Sequence, residues 1–509
     1  MQRKIEIMDT TLRDGEQTSG VSFSASEKLT IAQLLLDEVK VDRIEIASAR
    51  VSEGEFQAVK KITNWAKETH QLEKIEVLTF VDGDISINWM KEAGAKVMNL
   101  LTKGSLNHLV HQLKKTPEEH FADIKTVIEK AQENDILVNV YLEDWSNGMK
   151  DSPEYVFQYI DFLVQQPIKR ILLPDTLGVL MPSQTYDFIS QLTQKYPAIH
   201  FDFHGHNDYD LSIANAMEAV RAGANGLHLT VNGMGERAGN APLASAVAVL
   251  RDFMPDVQLQ IKERALYSLS KMVETFSGFR IPANKPIVGE NVFTQTAGIH
   301  ADGDNKKNLY FNDLMPERFG RTRKYALGKT SGKANIEKNL QDLGIKLSDA
   351  DLKKVTQRII ELGDRKELIT QEDLPYIISD VLDSVNSIDD KLVTIENYVL
   401  THSKNLRPSA TLLVNIEGNI YQENAQGDGQ YDAFMNALKK IYKKIGKELP
   451  ELVDYAVTIP PGGQTDALCE TVITWKNGKT FKTRGLDSDQ TVSALKATEK
   501  MLNIIAIRG

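Results

Sequence analysis

Residues 199–208 read "IHFDFHGHND", an apolar run that ends in two histidines one residue apart, followed by Asp208. Alternate side chains of a β-strand point to the same face, so His204 and His206 share one side of it. What that side faces is decided by the runs around it. "KIEIMDT" (4–10), "RIEIAS" (43–48), "IEVLTF" (75–80), "KVMNLLT" (96–102), "ILVNVYLED" (136–144), "RILLPDT" (170–176) and "GLHLTVNG" (226–233) are also rich in β-branched and apolar residues. Between them lie stretches such as "ASEKLTIAQLLLDEV" and "YDLSIANAMEAVRAGA", whose apolar residues recur at helical spacing. Eight near-continuous apolar strands alternating with helices predict a parallel sheet covered on its faces, and eight strands close a (β/α)8 TIM barrel. An open, doubly wound sheet is the competing α/β reading. It usually carries a glycine-rich turn after its first strand, and "TTLRDGEQ" lacks that fingerprint.

Polar residues cluster where the apolar runs end: Arg13 and Asp14, Ser48, Thr102, Glu143 and Asp144, Asp175 and Thr176, His204 and His206, and Asn232. In a barrel these ends form one rim, the place where barrel enzymes hold their chemistry. Two imidazoles side by side suit a divalent metal, and Asp14 offers a carboxylate from another strand end. Such a set leaves coordination positions open for a substrate. The plainer reading of an isolated pair is two hydrogen-bonded histidines. Arg13 would then lie beside a bound substrate, where a guanidinium steadies a carbonyl oxygen as it becomes an alkoxide. The alternative is an exposed Arg–Asp ion pair of little energetic value.

The 509 residues have room for two or three domains, and a net charge of -10 argues against a nucleic-acid partner. A single cysteine, Cys469, excludes an intramolecular disulfide and a structural zinc knuckle and points to a reducing compartment. The first residues lack a signal-peptide core, and no apolar stretch is long enough to span a bilayer. The expectation is a cytoplasmic protein with no membrane partner. The barrel is expected over 1–275. A Gly-, Pro- and Asn-rich connection followed by helices, opening at Ser348 and Thr370, is expected over 276–388. From 389 to 509 a strand–turn–helix pattern occurs twice, with hairpin signals "EGN" and "KNGK", and predicts a pseudo-symmetric α+β domain.

"DTTLRDGEQ", "HGHND" and "NGMGERAGN" together resemble the family of metal-dependent Claisen-type acyltransferases that includes the α-isopropylmalate, homocitrate and citramalate synthases. The similarity runs over essentially the whole chain, through "GIHADG" to the two-part C-terminal domain. "VDRIEIASARVS", "NVYLEDWSNG" and "RILLPDTLGVL" look most like the citramalate synthases. The resemblance implies that Asp14, His204 and His206 hold a divalent metal, with Asn240 completing or supporting the site; zinc, manganese and magnesium all suit such donors. It implies that Arg13 polarises the keto oxygen, Thr176 holds the carboxylate of a 2-oxo acid, and Glu143 stands near the reacting carbons. His300 and Tyr310 would assist proton transfer, the general base being one of these last three. Asp302, Asn308 and Leu309 would line the site of acetyl-CoA, the co-substrate. A positioned base must take a proton from the acetyl methyl, a weak carbon acid.

By position in the matching motifs, Leu78, Leu101 and Tyr141 end strands beside the substrate, and their bulk favours pyruvate's methyl over the isopropyl of 2-oxoisovalerate. Barrel core is their plainer role. The implied reaction is (R)-citramalate synthesis, the first step of the pyruvate route to isoleucine. 2-Isopropylmalate synthesis is the alternative. Lyases of related barrels rely on a cysteine in the glycine-rich loop, and "NGMGERAGN" has none. A metal-stabilised protein that only senses a small acid is the non-catalytic alternative. The resemblance also implies a homodimer and a regulatory C-terminal domain that binds isoleucine through Tyr431, Asp432, Tyr455, Ile459 and Thr465. The basic run "RFGRTRKY" (318–325) reads either as a contact for CoA phosphates or as a solvated face.

Overall fold

Eight parallel strands close on themselves: β1 (Glu6–Asp9), β2 (Arg43–Ser48), β3 (Ile75–Phe80), β4 (Val97–Lys103), β5 (Leu137–Glu143), β6 (Arg170–Asp175), β7 (Phe201–Gly205) and β8 (Gly226–Leu229). Closure is made by β1, which sets Met8 opposite Arg43 of β2 and Glu6 opposite Gly226 of β8. The computed structural model describes residues 3–297, 302, 303, 309–364, 369, 371, 374, 377, 378, 381, 392–458, 469–487 and 489–508.

The strands are not uniformly apolar. Outward positions such as Ile44, Ile46, Val138, Val140, Phe201 and Phe203 pack into the large core under the helices. Inward positions of the same strands carry Arg43, Glu45, Glu76, Asn99, Asn139, Asp202 and His228, all buried. The apolar signal of these strands therefore belongs mainly to the outward face, and the lower barrel interior is a hydrogen-bonded network. Arg43 organises its lower part. One guanidinium nitrogen lies 2.8 Å from Glu76, another 2.6 Å from Asp202, and Nε lies 3.1 Å from Glu6. Burial pushes the Asp202 carboxyl up; Arg43 and the neighbouring histidines outweigh it and hold Asp202 well below the usual carboxylate range.

Local signals set the helices. Thr116 accepts the N–H of Glu119, whose side chain returns the bond, and Pro117 opens the helix Pro117–Glu133. Ser24 and Glu27 cap Ala25–Gln33 in the same way. The single helix expected over 25–39 divides at this point. It continues over Leu34–Val39 with the wider i→i+5 bonding and stops at Lys40, whose φ of 68° is left-handed.

This compact unit spans Met1–Thr294 and Tyr310–Lys324. A second unit comprises Gln295–Leu309 and Tyr325–Gly509. It contains the helices Lys333–Asp342 and Asp349–Asp364, which pack through Ile336, Leu340, Leu352, Val355 and Ile359. Ser348 caps the latter by accepting the N–H of Asp351. Thr370 lies outside the described residues. The same unit then runs twice through three antiparallel strands and a helix. β9 (Val393–Ser403), β10 (Leu406–Ile416) and β11 (Asn419–Gln426) precede the helix Gln430–Lys444. β12 (Glu451–Thr458), β13 (Cys469–Asn477) and β14 (Lys479–Asp487) precede Gln490–Arg508. The two hairpin signals fall at the β10–β11 and β13–β14 turns. Leu412, Phe434 and Leu438 of one repeat share a core with Trp475, Leu495 and Met501 of the other. Among the described residues no helix is long and apolar enough to cross a membrane.

Replacing Arg43 by methionine strands two buried carboxylates without their cation. Chemical denaturation at neutral pH is expected to show the barrel destabilised by about 3–5 kcal/mol. A change below about 1 kcal/mol would mean that Arg43 is not what keeps the interior charged.

Candidate active site at the mouth of the barrel

The segment after β1 turns on one carbonyl. Thr10 O accepts the N–H groups of Arg13, Asp14 and Gly15 at 3.1, 2.8 and 3.1 Å. Thr11 Oγ1 accepts the N–H of Val231 at 2.8 Å, which ties the turn to the end of β8. Arg13 and Asp14 are thereby held over the open end of the barrel.

Asp14 meets the histidine pair there. Its Oδ2 lies 3.0 Å from His204 Nε2 and 3.7 Å from His206 Nε2, and the two imidazole rings are 5.1 Å apart. His206, one residue past β7, bridges to Asn240, whose Nδ2 donates to Met234 O at 3.1 Å. Asp14 Oδ2, His204 Nδ1, His206 Nδ1 and Asn240 Oδ1 are all buried and make no hydrogen bond. Orphaned polar atoms are costly, and Asp14 Oδ2 and Asn240 Oδ1, both acceptors, fit a ligand that supplies positive charge. Asp14, His204 and His206 can each offer a donor atom within 4.8 Å of the others. Burial works against the Asp14 carboxylate, but Arg13 first and then the histidines hold it well below the usual range. Burial pushes His206 down to about 4 despite Asp14 beside it. An ionised carboxylate and a neutral imidazole are the protonation states that a divalent cation requires.

Arg13 is not an exposed ion-pair partner. Its side chain is 10% exposed, its Nε donates to Glu45, Nη1 is 3.5 Å from Asp14 Oδ2, and Nη2 is 3.3 Å from the Tyr141 hydroxyl. Two of its five N–H groups remain for a ligand. Glu45 is itself held by Asn99 Nδ2 at 2.7 Å, and Asn99 by Asn139 Nδ2 at 2.8 Å.

The rim carries the other residues expected from the sequence. Glu143 pairs with Lys103, its register partner on β4. The Lys103 backbone is gripped on both sides, its N–H 3.3 Å from His120 Nε2 and its carbonyl accepting from the Tyr155 hydroxyl at 2.9 Å. Burial pushes His120 down to about 4, which leaves its ring free to accept. Thr176 Oγ1 accepts the N–H of Asp144 at 2.9 Å. Arg237 binds both oxygens of Asp208, at 2.8 and 2.9 Å, and the carbonyl of Thr176 at 2.8 Å, and so joins three rim loops. Leu78 and Tyr141 lie with Leu172 in a small apolar cluster separate from the main core, and Leu101 packs against it.

Reading the sequence alone misses Glu45, Asn99, Lys103, Leu172 and His228. Strand parity is the signal that finds them. Lys103 lies two residues after Leu101, and Leu172 lies four before Thr176, each on the inward face.

Of the residues expected from the connecting segment, His300 and Asn308 lie outside the described residues, as do Ile459 and Thr465. Asp302 and Leu309 fall in the second unit, and Tyr310 opens the stretch that belongs to the first. Neither reading of the basic run suits its first two arginines. Arg318 binds Asp252 at 2.8 Å and Glu263 at 2.7 Å. Arg321 donates to the carbonyls of Ile287 and Gly289 and lies 4.4 Å over the Tyr267 ring. Both are committed to internal partners. In the C-terminal repeats the Tyr431 and Tyr455 rings lie 5.1 Å apart. Asp432 spends its carboxylate locally, accepting the N–H of Asp428 at 2.9 Å.

Residues 4–273 match the family model described as HMGL-like, 287–367 the homocitrate synthase post-HMGL domain-like model, and 368–506 the LeuA allosteric (dimerisation) domain. A putative (R)-citramalate synthase of Methanopyrus kandleri is 36% identical over 466 residues, which cover 91% of this chain and 89% of that protein. A probable 2-isopropylmalate synthase of the same organism is 34% identical over 510 residues, covering 100% and 99%. The (R)-citramalate synthase of Methanocaldococcus jannaschii is 33% identical over 505 residues, covering 98% and 99%.

Calorimetric titration of the chelator-stripped chain with Mn(II) or Zn(II) is expected to show one ion bound per chain. Asn240→Ala should weaken that binding about 10- to 100-fold, and His204→Ala or Asp14→Ala by more. Equal affinity in Asp14→Ala would remove Asp14 from the site.

Proposed function

Because this chain belongs to the HMGL-like family, among relatives named (R)-citramalate synthase and 2-isopropylmalate synthase, we propose that it condenses acetyl-CoA with pyruvate and releases CoA and (R)-citramalate. The relatives named as synthases over nearly the whole chain support an acetyl-CoA-dependent condensing acyltransferase. A divalent cation, held by Asp14, His204 and His206 with Asn240 beside them, would supply Lewis-acid polarisation of a carbonyl.

The chain's own residues do the rest. Arg13 directs its two remaining N–H groups at the keto oxygen and stabilises the charge that develops there. Thr176 accepts its hydrogen bond from Asp144 and gives its own hydroxyl hydrogen to the substrate carboxylate. Glu143, held at the rim by Lys103, takes a proton from the acetyl methyl. The resulting carbon bonds to the keto carbon of pyruvate, and the keto oxygen becomes an alkoxide that is then protonated. Water cleaves the thioester, giving the second carboxylate of citramalate and free CoA. His300 and Tyr310 assist the proton transfers, and Asp302, Asn308 and Leu309 hold acetyl-CoA.

The apolar wall of Leu78, Leu101, Tyr141 and Leu172 carries the choice of acid. Three of its four members are almost wholly buried and packed on one another, so extra bulk on C3 of the oxo acid would have to displace them. The C-terminal repeats are proposed to form the dimer and to bind isoleucine near Tyr431 and Tyr455, inhibiting the barrel. The match to an allosteric dimerisation domain supports this.

A thiol-release assay with acetyl-CoA is expected to favour pyruvate over 2-oxoisovalerate and to be inhibited by isoleucine rather than leucine. Preference for 2-oxoisovalerate would replace the proposal with 2-isopropylmalate synthesis. Leu78→Ala should shift the preference toward larger acids by about tenfold. In the same assay Glu143→Gln should lower kcat by about 10²–10⁴ with pyruvate KM little changed.

A further inference from the structure

Beneath Arg13 lies a chain of buried groups that the mechanism above does not use. Asp202 Oδ2 is 3.1 Å from His228 Nε2, and His228 Nδ1 is 2.8 Å from the Tyr141 hydroxyl. That hydroxyl is in turn 3.3 Å from Arg13 Nη2. Asp202, His228 and Tyr141 are each at most 2% exposed, so none can turn to water for another partner.

The direction of every bond in this chain can be assigned. Asp202 is the carboxylate that Arg43 holds ionised, so it only accepts. Burial keeps the His228 ring neutral, so with Nε2 donating to Asp202 its one ring hydrogen is spent and Nδ1 presents a lone pair. The Tyr141 hydroxyl must donate to that lone pair. Its oxygen then faces Arg13 with lone pairs alone, and the guanidinium donates to it. Donors and acceptors run one way, from Arg13 down to Asp202.

We propose that His228 is a positioning residue: backed by Asp202, it turns the Tyr141 hydroxyl hydrogen away from the substrate and so fixes both the Tyr141 ring and the Arg13 guanidinium. Two consequences follow for the proposed condensation, on which this assignment rests. Tyr141 has no hydrogen to offer the keto oxygen, so Arg13 is the donor there. The ring of Tyr141 is also pinned at its far end, 5.5 Å from the His228 ring at 81°, and presents a fixed apolar face to C3 of the oxo acid. His228 thus acts on rate through Arg13 and on selectivity through the Tyr141 ring.

A double-mutant cycle tests this. His228→Leu removes the acceptor, His228→Asn keeps one near the position of Nδ1, and Tyr141→Phe removes the hydroxyl. His228→Leu is expected to lower kcat/KM for pyruvate about tenfold, mainly in kcat, and to lower the pyruvate-to-2-oxobutyrate ratio. His228→Asn should restore most of both. In the Tyr141→Phe background, His228→Leu should change neither further. Equal loss in both backgrounds, or unchanged activity and ratio in a folded, metal-binding His228→Leu protein, would overturn the assignment. Should the unsubstituted protein release no CoA with any 2-oxo acid, the condensation fails and the relay is judged separately. ¹⁵N spectra of histidine-labelled protein should show His228 as the Nε2–H tautomer, its Nδ1 signal moving in Tyr141→Phe. An Nδ1–H tautomer, or a signal insensitive to Tyr141, would overturn the relay.

Discussion

A guanidinium taken out of water needs a counter-charge at close range, and the interior of this barrel is built around meeting that need twice. Arg13 at the mouth leans on Glu45, and Arg43 below leans on Glu76 and Asp202. Glu45 and Asp202 then take further partners, which Asn99 and His228 supply. The polar inner face of the strands follows from these two cations. With most of that face spent on hydrogen bonds, apolar burial falls mainly to the outward face and the helices around it.

The layering also separates two jobs that a single pocket would otherwise mix. Charge is gathered at one side of the mouth, where Asp14, His204, His206 and Arg13 converge. The apolar wall of Leu78, Tyr141 and Leu172 lies apart from the main core. Tyr141 belongs to both, apolar by its ring and polar by its hydroxyl. A residue of that kind couples the shape of the wall to the placement of the charge, which no aliphatic side chain at this position could do.

How far the sequence could be read depends on which signal each residue carries. Strands 43–48 and 75–80 are legible to the residue. The first and last barrel strands read too long. Thr10 already serves the turn that holds Arg13, and Asn232 adopts a left-handed φ of 61°. The histidine pair, Asp14, Arg13 and Asn240 stand out because ionisable or amide groups recur there at strand ends and in short, distinctive motifs. Glu45, Asn99 and His228 do not. They sit inside apolar runs, and only the two-residue alternation of a strand, applied once the barrel is known, turns them inward. The partners of Arg318 and Arg321 lie dozens of residues away, so a local run of basic residues says nothing of them.

The proposed cation site would draw its donors from opposite ends of the barrel's chain: Asp14 follows the first strand, while His204 and His206 lie on and just past the seventh. The turn that carries Asp14 is itself fastened to Val231, 220 residues further on. Such contacts of high sequence separation form late, after the loop they close has lost its conformational freedom. During synthesis the N-terminal segment can pair with β2 early, while its partners at the ends of β7 and β8 emerge only with nearly the whole barrel. Capture of an ion at this site would then report that the ring has shut, and an ion that binds only the shut form would pull the folding equilibrium toward it.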